Sequence, residues 1–290
     1  MATLYFNGAV DGDWNELDNW WNNDTFSTQA TSLPSSSDSV VLSATCSTNS
    51  GSEPTVVNLT YSSGTLGIAI TVTGTATFND SSSNDGTITG NATFNDYATN
   101  GGGTVNGNAT FNDYSDNLYI IDLGNGFIIG VAIFYDYATN NAAVGDGSIF
   151  NDNSRNGGAG GGFVQGSATF NDSSSNPPND PVGGGWLTAN AIFNDQSSNG
   201  GLVEGDATFN DTSYASGGTI SGTATFNDTS YVSGLLTGDV IFLGNSYMAS
   251  TAQVTGSATF RDNSYNLANC GSVIAEHGGG INGSNILGIL

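Results

Sequence analysis

Aspartate recurs at one fixed place in this chain. It stands two residues after a repeated phenylalanine in ten of eleven occurrences: Asp80, Asp96, Asp113, Asp136, Asp152, Asp172, Asp195, Asp211, Asp228 and Asp262. A regular row of carboxylates has one chemistry ready to hand, the binding of a hard cation, because Ca²⁺ takes several oxygen ligands of this kind. The glycine-rich nonapeptide calcium repeat is absent, however, and the spacing D-x-S/A-x-N suits a corner aspartate that accepts backbone N–H bonds. The column is therefore expected to be structural. Asp80, Asp96 and Asp113 are the candidate Ca²⁺ positions, and no other cofactor is expected. The single histidine, His277, lies beside Glu276 with no repeated or positioned partner. No nucleophile, base and orienting group can be assembled around it, so the sequence does not read as an enzyme.

Two further columns carry surface chemistry. Thr precedes the phenylalanine in seven units, which raises the possibility of a flat ice-binding face, but Ile133, Ile149, Ile192 and Ile241 interrupt it. Solvated β-branched residues on a sheet are the ordinary explanation. Tyrosines align as well, with Tyr97, Tyr114 and Tyr137 three residues after the phenylalanine, and Tyr214, Tyr231, Tyr247 and Tyr265 five after. Such stripes can bind glycans or a partner surface, or stack across coils to stiffen the structure.

Charge narrows the function classes. Two Lys+Arg against 26 Asp+Glu give 2 − 26 = −24, and the only cations are Arg155 and Arg261. A nucleic-acid binder needs a basic patch, so that class is excluded. No run of 18 apolar residues is present, so no membrane-spanning helix is expected. Met1 to Val10 do not read as a signal peptide, and two cysteines are too few for a disulfide-scaffolded fold.

The elements that must hold these columns are repeats. Aligned on Ala-Thr-Phe-Asn-Asp, eleven phenylalanines share one register: Phe78, Phe94, Phe111, Phe134, Phe150, Phe170, Phe193, Phe209, Phe226, Phe242 and Phe260. Six residues before each stands an aliphatic residue, from Val72 and Ile88 to Val254. Two before is Ala in nine units, and four after is always Ser or Ala. Apolar and polar residues alternate at period two, which is a strand pattern. Gly four residues before the phenylalanine, the Asn-Asp pair after it, and the Asn six after it are placed to make corners. The sequence thus predicts an all-β parallel β-helix of about eleven coils of 16–23 residues, leaving its handedness open. At about 4.8 Å per coil, eleven coils would make a rod of roughly 50 Å with a phenylalanine column inside. The long units carry their insertions after the corner Asn, at Leu118 to Gly126, Gly157 to Gly162 and Pro177 to Gly185.

The ends differ. Residues 1–60 form a Trp-rich capping or docking segment, 61–266 the solenoid, and 267–290 a C-terminal cap or docking tail. The run Trp14-Asn-Glu-Leu-Asp-Asn19-Trp20, followed by Leu33-Pro34 and Asp38-Ser-Val40-Val41-Leu42, resembles the W-x4-N-W and P-x3-D-x-V segment that opens β-helical autotransporter-like adhesins and virion-fibre repeat proteins. The resemblance covers roughly residues 1–60 by motif and 70–266 by Asn/Asp/Ser/Gly-rich repeat character. It implies a fibrous role outside the cell, on a cell surface or on a virion.

From these features the chain is expected to be a non-catalytic structural β-solenoid, a fibre or filament subunit that self-associates head to tail. Trp14, Trp20 and Trp21 of one subunit would meet Leu287, Ile289 and Leu290 of the next, with Cys46 and Cys270 brought close enough to pair. The alternatives are a host- or glycan-binding adhesin or tail fibre, and an ice-binding protein.

Overall fold

In a computed structural model of the chain, residues 2–120, 124–158, 161–178, 184–268, 272–275 and 280–281 are described. The chain forms two compact units, Met1–Gly145 and Asp146–Leu290. Each is a stack of parallel β coils, so the fold is the expected parallel β-solenoid, and the described residues contain no α-helix. The two units together hold about 13 turns, more than the eleven counted from the Phe register.

The extra turns lie where the repeat motif is absent. Strands β1 (Thr3–Phe6), β2 (Trp20–Trp21) and β3 (Ser39–Leu42) open the first unit. β1 runs parallel to β3, and β3 parallel to Leu59–Tyr61, which in turn pairs with Ala69–Phe78. The column therefore reads Phe6, Leu42, Tyr61, Phe78, Phe94, Phe111 and Phe134 in unbroken register. In the second unit it reads Phe150, Phe170, Phe193, Phe209, Phe226, Phe242, Phe260 and Ala275. All eleven sequence-identified phenylalanines are fully buried. Ring centroids of adjacent coils lie 4.5–5.1 Å apart from Phe78 to Phe111 and from Phe150 to Phe260, near the spacing of the strands that carry them.

The aliphatic column holds with two slips, one of them between Thr219 and Thr223, where Thr219 faces Thr237. Ile88, Val105 and Ile128 pair in sequence, but Ile88 faces Ile70 rather than the expected Val72. A register shift between Thr71 and Thr75 absorbs the extra residues, and Val72 instead faces Val56. Both side chains are buried, so this slip keeps the interior apolar.

Asparagine does more than turn corners. From Asn84 to Asn199 the Asn six residues after the phenylalanine lies fully buried inside the coil, and its amide bridges to the next coil: Asn84 Nδ2 donates to Asn100 Oδ1 at 2.8 Å, Asn100 to Asn117 at 2.9 Å and Asn117 to Asn140 at 2.8 Å. Asn156, Asn176 and Asn199 repeat this at 2.9 and 2.7 Å. Asn84 and Asn140 also accept local backbone N–H bonds, as expected of corner residues, but the ladder between coils is what satisfies a buried amide with both donors and acceptors. A second ladder joins the Asn after the phenylalanine, from Asn112 through Asn95 to Asn79 and from Asn227 to Asn151. Further on, Ala215, Val232 and Met248 take the buried Asn position, so the column there is apolar.

Glycine is required where coils touch. A Cβ on Gly107 would stand 2.4 Å from the carbonyl oxygen of Gly90, and Gly90 itself has φ +149°. Within the Leu118 to Gly126 insertion, Tyr119–Ile120 pairs antiparallel with Gly124–Asn125. All three insertions include residues outside those described.

Candidate functional site

Every aspartate of the repeated row adopts a left-handed backbone, with φ between +53° and +59°. That conformation is uncommon for non-glycine residues but several-fold enriched in Asp and Asn. Gly244 takes the same place after Phe242, at φ +65°. The carboxylates link neighbouring coils. The Asp80 N–H donates to Asp96 Oδ2 at 3.3 Å, Asp96 to Asp113 at 3.4 Å and Asp113 to Asp136 at 3.4 Å. The second unit repeats this from Asp152 to Asp228, and the Gly244 N–H donates to Asp262. One carboxylate oxygen of Asp96, Asp113, Asp136, Asp172, Asp195, Asp211, Asp228 and Asp262 is thereby occupied by an N–H. Among the described residues, no group of three or more His, Cys, Asp or Glu is placed to hold a metal ion.

The tyrosine stripes are stacks. Tyr97, Tyr114 and Tyr137 lie 5.4 and 5.1 Å apart with interplanar angles of 10° and 6°. They are 65%, 51% and 54% exposed. Tyr214, Tyr231, Tyr247 and Tyr265 stack at 5.1–5.2 Å and are half-buried. Burial, then the neighbouring Tyr247 and Tyr214, push the Tyr231 phenol up. A ring stacked on both sides offers a ligand its edge and hydroxyl but neither face, so the middle of a stripe has no platform for a sugar ring.

The N-terminal candidates sit inside the first unit. Trp14 and Trp20 are 2% and 0% exposed. Trp20 packs edge-on against Phe6 and Trp14, at 5.1 and 4.7 Å, and its Nε1 donates to the Trp14 carbonyl at 2.8 Å. β2 pairs antiparallel with β1, Tyr5 opposite Trp21 and Phe6 opposite Trp20, and so lies on the outer edge of the first parallel pair. Buried Asn19 holds the turn by accepting from the Val10 N–H and donating to Asp11 and to the Asp13 carbonyl. Trp14 and Trp20 are thus packing residues of the first coils, and Trp21 alone of the three is half-exposed.

Cys46 is buried with no disulfide, and burial, then the Asp13 charge, push its thiol up to about 12. Tyr61, which replaces phenylalanine in the column, donates to the Ala44 carbonyl at 2.6 Å and accepts from the Cys46 N–H at 3.2 Å. A thiol so placed is poorly suited to a bond with another subunit. Cys270, His277, Leu287, Ile289 and Leu290 lie outside the described residues.

One surface aromatic was not singled out from the sequence. Trp186 stands seven residues before Phe193, a position held by threonine in several other units, and is 42% exposed. The only advance signal was a tryptophan replacing those threonines on an outward strand position. No protein-family model, curated protein or solved structure matches this chain.

Proposed function

We propose that this chain is a non-catalytic structural β-solenoid, a subunit of a fibre or filament outside the cell or on a virion surface. The observation that carries the reading is the use of the repeated residues. Each recurring side chain from the aliphatic position to the buried Asn packs on, or bonds to, its counterpart in the next coil. A repeat whose recurring residues serve the next repeat builds length and stiffness, the properties a fibre needs.

Lengthwise self-association remains part of the proposal, with its contact moved. With Trp14, Trp20 and Cys46 enclosed, the N-terminal end would meet another subunit through the outer side of the Trp21 strand. Electron microscopy of negatively stained protein, with light scattering across a concentration series, tests this. Filaments or regular multimers support it, and a strictly monomeric particle at high concentration overturns the assembly half. A host- or glycan-binding adhesin is the second reading, favoured by an exposed indole on the outer sheet of the second unit.

A further inference from the structure

Three strands of the second unit place apolar side chains side by side on the outer surface of its sheet. Phe163 pairs with Trp186, and Trp186 with Leu202, in parallel register. Each alternates with a buried aliphatic neighbour, Val164, Leu187 and Val203, so the named three face outward. Phe163 meets Trp186 edge to face, with centroids 5.1 Å apart and planes at 81°. Unlike the tyrosine stripes, this arrangement does not sandwich the indole between parallel rings. Trp186 is the most exposed of the four tryptophans.

Polar side chains and a hollow surround the row. Two residues further along the same coils stand exposed Gln165, half-exposed Thr188 and exposed Glu204. Leu202 pairs onward with Thr219, and these two line a cavity of about 320 Å³ with Pro178, Gly200, Gly201 and Gly218. That volume lies at the lower end of the range for small-ligand sites. The Gly200 and Gly201 N–H groups donate to the Asn176 carbonyl, and the Gly201 and Gly218 carbonyls accept from Thr219 and Thr237, so the hollow offers its shape and the Thr219 side chain rather than free backbone groups.

We propose that Trp186 and the adjoining hollow form a binding site for a neutral pyranose glycan. A sugar ring has an apolar C–H face and a rim of hydroxyls, which matches an indole bordered by amide, hydroxyl and carboxylate groups. Charge selects among glycans: a chain of net charge −24 with two arginines repels uronic acid and sulfated polymers, leaving neutral ones. The row spans three coils, roughly 10 Å between its outer members at ordinary strand spacing, enough for two sugar rings. This goes beyond the fibre reading and fails separately from it, because a fibre subunit needs no ligand.

The test is affinity electrophoresis of the full chain in gels containing hydroxyethylcellulose, xyloglucan, galactomannan or laminarin, with polygalacturonate as the anionic control. Tryptophan fluorescence is titrated with oligosaccharides of any retarding polymer. The expected result is retardation by at least one neutral polymer and none by polygalacturonate. Trp186→Ala should weaken binding at least tenfold, Glu204→Gln less, and both should keep the wild-type circular dichroism spectrum. If Trp186→Ala does not fold, Trp186→Phe and the wild-type fluorescence change decide. Retardation by none of the neutral polymers overturns the proposal. So does binding that survives Trp186→Ala, or that is lost in Tyr97→Ala and Tyr114→Ala instead.

Discussion

Removing one ring from the phenylalanine column isolates what holds coil to coil. Phe170 is fully buried and stacks on Phe150 at 4.7 Å and on Phe193 at 4.8 Å. Phe170→Ala deletes the ring and leaves a cavity whose walls are set by the strand spacing of the flanking coils, so the gap cannot close without breaking ladder hydrogen bonds. A buried Phe→Ala change costs about 3–5 kcal/mol, and loss of two stacked contacts at about 0.5–1.5 kcal/mol each places this site toward the upper end. Thr169, its neighbour on the same strand, is only half-buried and faces outward, so Thr169→Ala should cost less than about 0.5 kcal/mol. Guanidinium unfolding followed by circular dichroism gives both values. Because stacked repeats lose cooperativity when a junction weakens, the Phe170→Ala transition should also broaden. A loss below about 1 kcal/mol, or one equal to that of Thr169→Ala, would refute the claim that ring stacking carries the coil junctions.

The other columns give equally definite outcomes. Asn100→Asp places a carboxylate opposite Asn117 Oδ1 in the buried ladder, with the folded carboxyl pKa raised. The destabilisation should be small below the unfolded value near 3.9 and grow to about 3 kcal/mol as pH rises through the folded value, read from melts between pH 3 and 8. Asp113 has φ +59°. Asp113→Gly should be tolerated, as Gly244 is, whereas Asp113→Val should cost about 1–3 kcal/mol in the same melts. Burial raises the Asp116 pKa, partly offset by bonds from Thr139. A raised carboxylate pKa disfavours the folded state above its unfolded value, so Asp116→Asn should raise Tm at pH 7 and leave it unchanged near pH 3. The Cys46 thiol, held at about 12, should resist a thiol-specific reagent in the native protein and react on unfolding; rapid native labelling of Cys270→Ser would contradict its burial.

The sequence alone determined the repeating cross-section. Residues at period two whose apolar members recur every 16–17 positions can bury one face only by stacking on their own copies. For that reason the inward phenylalanines, the Ser or Ala four residues later and the parallel coil were all legible before any coordinates. Tertiary contact decided the rest. Phe6, Leu42 and Tyr61 join the column although no Ala-Thr-Phe-Asn-Asp string marks them, because pairing to the next coil, rather than local sequence, sets their register. The Asn at the sixth position looked like a corner, yet burial leaves its amide no water, and only the amide of the adjacent coil completes its bonding. Trp14 and Trp20 looked like docking residues, and the packing of Trp20 against Phe6 and of Trp14 against Trp20 made them interior. The tyrosine stripe and Trp186 are alike as exposed aromatics in sequence. Whether a ring's face is free depends on what the next coil stacks against it, and that is fixed only when the coils come together.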